Sequence, residues 1–285
     1  MKKFEFNSFT GYFCIDPKYV AEGLKAAKGK HSSICVQPMD SRTRDTTFDM
    51  PELAKATWIE RLTLHQDVTT AKEDFKGLES LKNLEALALK EIAPIDYAKF
   101  KALKELGVIS GKDLIGAEKV STLDILQLGL WNGDELPDNI GRIAAKKVKI
   151  SVAKKLSSIE PLCDARKLTD LTLQRLPALT VDTEINRLPL VTLWVEKCDK
   201  WTDFGNLRID SLRKLLVSKV ESLRFIKQLK HLEDLNFWEC VDGDLTPVLE
   251  HPTLTKVSFA PEKKHYSHNL TELRRQLAAR RAGKA

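Results

Sequence analysis

The chain has 285 residues and a formal net charge of +6, and its 42% hydrophobic and 30% charged residues are typical of ordinary globular proteins. No run approaches the roughly 18 consecutive apolar residues that a membrane-spanning helix needs, so a transmembrane protein is excluded. The start, MKKFEFNSFTGYF, lacks the apolar segment of a signal peptide, and we therefore expect a cytoplasmic protein.

The first 58 residues predict an N-terminal cap. Asp-Pro at 16–17 suits the start of a helix and Gly29 suits the position just after one, so we expect a helix at about 17–28. The following SSICVQ predicts a strand at about 32–37. Residues 37–58 are polar and rich in turn formers, and they predict an irregular loop.

Residues 59–260 repeat one six-residue phrase about every 22 residues, with apolar residues at its positions 1, 4 and 6. The middle apolar positions are Leu62, Leu87, Leu106, Leu126, Val148, Leu171, Leu193, Leu215, Leu235 and Val257. After its first position the phrase alternates apolar and other residues, which is the period of a strand with one buried face. We therefore predict about ten repeats, each contributing one parallel strand.

The segments between the phrases are too short for a long helix. LESLKNLEAL (78–87) and LRFIKQLKHLEDL (223–235) place apolar residues at every third position, which is the spacing of a 3₁₀ helix. The predicted fold is an α/β solenoid with one parallel β-sheet and short 3₁₀ or irregular return segments.

The phrases LEALAL (84–89), LTDLTL (168–173) and LEDLNF (232–237) match the LxxLxL core of leucine-rich repeats. The repeat length resembles the 21- to 22-residue class of bacterial internalins and related proteins. This resemblance covers roughly residues 59–260 and implies a right-handed curved superhelix with the sheet on its concave face. One departure is the slot five residues after the middle apolar position, where the family usually has Asn or Cys. Here it holds mainly apolar residues such as Ile92, Trp131 and Leu176, which predicts some non-standard turns.

Residues 261–285 predict a basic C-terminal capping helix or tail. Asn269 and Glu272 have the spacing of a helix N-cap and its third residue, ahead of Leu273 and Leu277. A cover is needed because the last repeat of a solenoid exposes its core.

The whole formal net charge of +6 lies in this tail. Against one acid, Glu272, residues 263–285 carry seven basic residues: Lys263, Lys264, Arg274, Arg275, Arg280, Arg281 and Lys284. The other 262 residues carry 39 basic and 39 acidic side chains. A nucleic-acid-binding repeat protein is expected to carry excess cations along its groove. We interpret the tail as a solvated terminal helix, with a nucleic-acid contact as the alternative.

The five cysteines predict neither a disulfide framework nor a zinc site, because their number is odd and no CxxC occurs. Cys198 and Cys240 occupy the apolar slot described above. We expect them to be buried free thiols, since cysteine is among the most often buried residue types.

Residues that alternate with the buried positions are predicted to form the concave surface. Trp194, Leu216 and Trp238 are apolar residues that this alternation points outward in three consecutive repeats. Charged residues surround them: Asp170, Glu196, Lys214, Asp234 and Glu239. Tryptophan is enriched at binding hot spots, so the group predicts a protein-binding patch. The alternative is that a slipped register or a covering loop buries one or both tryptophans.

The same surface offers little for catalysis. Asp170 and Asp234 are three strands apart, about 14 Å at the usual strand spacing, which exceeds the separation of hydrolytic carboxylate pairs. No Gly-rich phosphate loop, GxSxG or HExxH occurs. His265 and His268 lack a convincing third metal ligand, so a solvent-facing or capping role is favoured. We predict no enzymatic activity, no cofactor and no metal.

These observations predict a monomeric, non-enzymatic module that binds a protein through its concave face. The resemblance implies an inhibitor, a toxin-immunity partner or an adaptor, and the sequence does not choose among them. The alternative is a nucleic-acid or ribosome-associated factor that uses the basic tail and a lysine cluster formed by Lys146, Lys147, Lys149, Lys154 and Lys155. A hydrolase would need a cluster of acids or histidines that the predicted surface lacks.

Overall fold

A computed structural model describes residues 2–40, 46–70, 75–90, 94–111 and 113–282. The chain divides into two compact units. The N-terminal unit comprises Met1–Gly129 and Ile143–Ala145, and the C-terminal unit comprises Leu130–Arg142 and Lys146–Ala285.

The N-terminal unit is built on a mainly parallel sheet. Its strands in chain order are β1 Phe4–Asn7, β2 Tyr12–Ile15, β3 Ser33–Val36, β4 Thr47–Phe48, β5 Arg61–Leu64, β6 Thr69–Thr70, β7 Ala86–Lys90, β8 Glu105–Ile109 and β9 Ile125–Gly129. β1 and β2 pair antiparallel, β2, β3, β5, β7, β8 and β9 follow one another in parallel, and β4 pairs with β6 separately. Its helices are α1 Val20–Ala27 and α2 Met50–Ala54.

The C-terminal unit repeats the parallel arrangement. Its strands are β10 Lys147–Ser151, β11 Asp170–Gln174, β12 Thr192–Glu196, β13 Lys214–Val220, β14 Asp234–Cys240 and β15 Lys256–Phe259. Each pairs in parallel with the next along the chain. Its helices are α3 Thr246–Glu250 and α4 Leu270–Ala282.

In both units the strand register follows the repeated apolar positions. Leu171, Leu193 and Leu215 are directly opposite one another on neighbouring strands and are fully buried. Since side chains alternate between the two faces of a strand, a one-residue slip would move every one of these leucines to the exposed face. Burial of each leucine side chain contributes about 1.5–3 kcal/mol, so the hydrophobic core holds the strands in this register.

Short 3₁₀ segments connect many of the strands, as the three-residue apolar spacing predicts. Lys76–Ser80 and Arg224–Gln228 lie within the two stretches in which that spacing is clearest. Others are Tyr97–Lys99, Ala117–Lys119, Ile140–Arg142, Glu160–Asp164 and Thr183–Arg187. A 3₁₀ turn brings every third residue to one side, which buries Leu78 and Ile226 in the core.

Among the described residues, a left-handed residue follows the strand in five repeats. Four residues after the middle apolar position, Ser110, Leu130, Val152, Arg175 and Lys197 have φ between 48° and 58°. The backbone N–H of Arg175 donates to the carbonyl of Glu196 at 2.8 Å, and that of Lys197 donates to Ser218 Oγ at 2.9 Å. The next slot then turns inward, where Trp131, Ala153, Leu176 and Cys198 are buried. Ile92, in the same slot of an earlier repeat, lies outside the described residues.

The N-terminal helix has the ends that its sequence predicts. Asp16 accepts a hydrogen bond from the Lys18 N–H at 3.1 Å, Pro17 follows it, and Gly29 has a φ of 77°. The first turn is 3₁₀, and α1 continues from Val20.

Two N-terminal elements differ from expectation. The stretch 37–58, expected to be an irregular loop, contains α2, because Asp49 caps it at the Glu52 N–H and Pro51 suits its first turn. Residues 41–45 of that stretch lie outside the described residues. The β1–β2 hairpin was not predicted, although the polar Asn-Ser-Phe-Thr-Gly segment between its strands is a turn signal.

Helix α4 covers the end of the C-terminal unit. The Asn269 side chain accepts from the Glu272 N–H at 2.8 Å, as expected of an N-cap, and Leu273 and Leu277 are buried. Arg280 donates to the carbonyls of Leu249 and Leu254 at 2.8 and 2.6 Å. Among the described residues, no helix has the length and apolar character needed to cross a membrane.

Candidate functional site

The candidate site is the exposed sheet face of the C-terminal unit, formed by the residues that alternate with the core on β10–β15. On this face Trp194 lies directly opposite Thr172 on one side and Leu216 on the other. Leu216 is in turn opposite Asn236, which is opposite Ser258. The two apolar side chains therefore adjoin on neighbouring strands, with small or polar residues on both sides.

The predicted apolar residues differ in exposure. Trp194 and Leu216 are half-buried, whereas Trp238 on β14 is 38% exposed. The indole Nε1 of Trp194 is buried and has no hydrogen-bond acceptor among the described residues. An indole N–H only donates, and leaving such a group unsatisfied costs about 1–3 kcal/mol.

Each of the acidic residues predicted for this face has a partner within the chain. Asp234 Oδ2 lies 3.7 Å from Lys214 Nζ, and its Oδ1 accepts from the Asn236 side-chain amide at 2.8 Å. Glu196 accepts from the Gln174 amide at 2.8 Å, and Asp170 accepts from the Thr169 hydroxyl at 2.7 Å.

Glu239 has a different environment from the other predicted acids. It forms an ion pair with Lys263, which lies after β15 in the chain, with 2.5 Å between Nζ and Oε1. The Lys263 ammonium lowers the pKa of Glu239. The carboxylate is therefore engaged with the C-terminal segment.

The lysine cluster lies at the first strand of this unit. Lys147 and Lys149 are exposed on β10, and Lys146, Lys154 and Lys155 are exposed beside it. Lys147 is directly opposite Asp170 on β11.

Three arginines of the C-terminal helix have contacts within the chain, and the side chain of Arg281 lies outside the described part of the structure. Arg274 Nε donates to the Val257 carbonyl at 3.2 Å, Arg275 pairs with Glu272 at 2.9 Å, and Arg280 binds two carbonyls, as described above. Arg275 and Arg280 are therefore engaged within the chain, and Arg274 uses one of its N–H groups in the same way. Lys284 lies outside the described residues.

A cavity of about 740 Å³ adjoins the patch, between the last strands and α4. Its polar lining comes from Asp234, Asn236, Lys256, Ser258 and Arg274, and its apolar lining includes Val257, Leu277 and Ala278. Alternation on β14 and β15 places Asp234, Asn236, Lys256 and Ser258 on this face, whereas Val257 is a core residue. The α4 side chains come from another part of the chain. The sequence has no local signal for that juxtaposition.

The cysteines and histidines lie in several separate places. All five cysteines are buried free thiols, and burial raises the pKa of Cys198 to about 11 and that of Cys240 to about 12. His265 Nε2 lies 3.3 Å from the Cys240 carbonyl, and His268 Nδ1 lies 2.9 Å from Ser267 Oγ. In the part of the chain that the structure describes, no three His, Cys, Asp or Glu side chains converge as metal ligands.

Comparison with solved structures finds two leucine-rich-repeat relatives of this fold, one of them above a TM-score of 0.5. An internalin from Listeria monocytogenes matches 94% of this chain and 84% of its own, with a TM-score of 0.53 and 12% identity. A leucine-rich-repeat (LRR) protein from Leptospira interrogans matches 94% of this chain and 88% of its own, with a TM-score of 0.42 and 15% identity. No family model and no curated protein sequence matches the chain. The similarity to the internalin, together with the parallel strands and 3₁₀ returns, confirms the predicted leucine-rich-repeat solenoid fold.

Proposed function

We propose that this leucine-rich-repeat chain is a non-enzymatic, cytoplasmic module that binds another protein through the exposed sheet face of its C-terminal unit. Trp194, Leu216 and Trp238 would be the anchors. Asp170, Glu196, Lys214, Asp234 and Glu239 would form the polar surround. An inhibitor, an immunity partner and an adaptor all fit this proposal.

The observation that carries the proposal is the exposure of apolar side chains on a face whose neighbouring residues are polar. Trp238 is 38% exposed, and Trp194 and Leu216 adjoin on neighbouring strands. Parallel strands with a packed core hold these side chains on a rigid support, which lowers the conformational entropy lost on binding. Aromatic anchors within a polar rim are the usual source of binding energy at protein interfaces.

The test is affinity capture from the native host with the wild type and with Trp194→Ala and Trp238→Ala. Each substitution is expected to weaken capture of the same partner about tenfold or more, as truncation of a hot-spot residue does. Phe9→Ala is the matched control, because Phe9 is 97% exposed but belongs to the N-terminal unit. Capture that is unchanged in both tryptophan variants would contradict the proposed face.

The lysine cluster supports nucleic-acid binding as a second candidate function. Five exposed lysines lie on or beside β10, although Arg274 and Arg280 of α4 have contacts within the chain. A filter-binding titration of RNA at several salt concentrations distinguishes the candidates. Tight binding with a steep salt dependence, lost in Lys147→Glu/Lys149→Glu, would favour the nucleic-acid function over protein binding.

A further inference from the structure

The cavity beside α4 continues the exposed sheet face. Asn236 and Ser258, which line the cavity, stand in the same row of opposed residues as Trp194 and Leu216. A smaller hollow of about 510 Å³, lined by Arg213, Lys214, Glu233 and Lys256 among others, lies at the start of the same strands. A partner seated on the apolar patch would therefore reach the cavity without leaving this face.

The charged side chains that line the cavity differ in whether they have partners within the chain. Its one acid, Asp234, already has Lys214 and the Asn236 amide as partners. Arg213 and Glu233, at the adjoining hollow, pair with each other. Lys256 is exposed, and among the described residues its side-chain ammonium has neither a hydrogen bond nor an ion pair. Arg274 is exposed and uses Nε for the Val257 carbonyl. Two cationic groups thus border the cavity, and neither forms an ion pair with Asp234, although Asp234 is directly opposite Lys256 on the neighbouring strand.

Apolar groups form the rest of the lining. Leu277, Ala278 and Ala282 on α4 and Val257 on β15 contribute this surface. A ligand with a short apolar stem and a terminal anion would match such a lining. A glutamate or aspartate side chain has that form, and a carboxylate accepts hydrogen bonds from both ammonium and guanidinium groups.

We propose that this cavity receives an acidic side chain, glutamate or aspartate, from the protein segment that covers Trp194, Leu216 and Trp238. The inference rests on the proposed function, which it extends by specifying the chemistry of the partner. The preferred segment carries an aromatic or aliphatic anchor next to an acidic residue. Charge complementarity with Lys256 and Arg274 selects the acid, and the apolar patch selects the anchor.

The experiment uses a library of displayed random peptides selected on the full chain, followed by affinity measurements on synthesised binders. Binders are expected to contain an acidic residue close to a large apolar one. Lys256→Glu should weaken their binding about tenfold, because it replaces an attraction by a repulsion. Lys200→Glu, at an exposed turn lysine of the same unit, is the matched control and should change affinity less than about twofold.

A double-mutant cycle makes the assignment specific. Replacing the acidic residue of the peptide by its amide should weaken binding to the wild type but not to Lys256→Glu. Lys256→Met, which keeps an unbranched stem without the charge, should give an intermediate affinity. Circular dichroism and denaturation of each variant show whether it retains the fold.

The outcomes separate this inference from the proposed function. Binders that depend on Trp194 and Trp238 but show no coupling to Lys256 would overturn the acidic-cavity inference and leave the protein-binding function standing. Selection of neutral or basic peptides would overturn it as well. Recovery of no binder, or of binders indifferent to both tryptophans, would count against both proposals.

Discussion

Trp194 lies directly opposite Leu216 on the neighbouring strand, and its buried indole N–H has no acceptor within the described part of the chain, whereas the N–H of Trp131 donates to the Glu135 carbonyl at 2.9 Å. The two tryptophans thus differ in whether their one polar group is satisfied.

This difference predicts that a Trp→Phe substitution lowers the free energy of unfolding by different amounts at the two positions. Trp131→Phe should lower the free energy of unfolding by about 1–3 kcal/mol more than Trp194→Phe, since only Trp131 loses a hydrogen bond. Urea denaturation of both variants measures the difference. Equal losses would show that the Trp194 indole N–H is satisfied in solution.

The left-handed residue after the strand predicts that asparagine substitutions at equivalent positions of two neighbouring repeats have opposite effects on stability. Lys197 has a φ of 53°, whereas Lys219, at the same position of the next repeat, continues β13. Lys197→Asn should stabilise the protein by about 0.5–1 kcal/mol, because Asn tolerates the left-handed conformation better than Lys. Lys219→Asn should destabilise it by about 0.5 kcal/mol, because Asn is unfavourable in strands. Thermal denaturation of the two variants tests whether the signs differ.

The hydrogen bonds of Arg280 predict that this residue anchors α4 to the rest of the C-terminal unit. Arg280→Ala should lower stability by about 2 kcal/mol, because it leaves the carbonyls of Leu249 and Leu254 without this charged donor. Arg275→Ala is the control, since Arg275 is exposed and pairs with Glu272 on the same helix. Hydrogen exchange of the α4 amides should accelerate in the first variant and change little in the second. Equal exchange rates would mean that Arg280 does not anchor the helix.

His251 predicts a loss of stability in mild acid. Its side chain is buried, and Nε2 lies 3.1 Å from the Leu229 carbonyl. Burial, with a smaller contribution from the Arg280 charge, lowers the histidine pKa below its usual value of 6.5. The unfolded chain therefore binds a proton more readily than the folded one. The neutral, buried His251 therefore makes its full contribution to the free energy of unfolding above about pH 6.5. That contribution is lost as the pH falls from 6.5 towards the lower pKa of the folded state.

Chemical denaturation between pH 8 and pH 5 tests this prediction. The free energy of unfolding of the wild type should fall over the acid half of this range, and His251→Gln should show a smaller fall. An equal pH dependence in both proteins would assign the effect to other groups.

The repeat positions were predictable because strand alternation and core burial act at fixed sequence intervals. LTDLTL at 168–173 predicts a strand with Leu171 and Leu173 inward, and β11 has that form. The outward placement of Trp194 and Trp238 follows from the same periodicity. Their degree of exposure could not be predicted from the periodicity. It depends on the side chains of neighbouring strands and on the turns that follow the longer strands β13 and β14.

The sequence by itself determined the solenoid, the register of its strands and the residues available on the exposed sheet face. These are local or periodic properties, set by the alternation of apolar side chains. Only the tertiary structure decided that the β1–β2 hairpin begins the sheet, that Arg274 and Arg280 of α4 bind carbonyls and that Lys256 and Arg274 border one cavity. Those features bring together groups from separate parts of the chain, and no periodic signal in the sequence records such an approach.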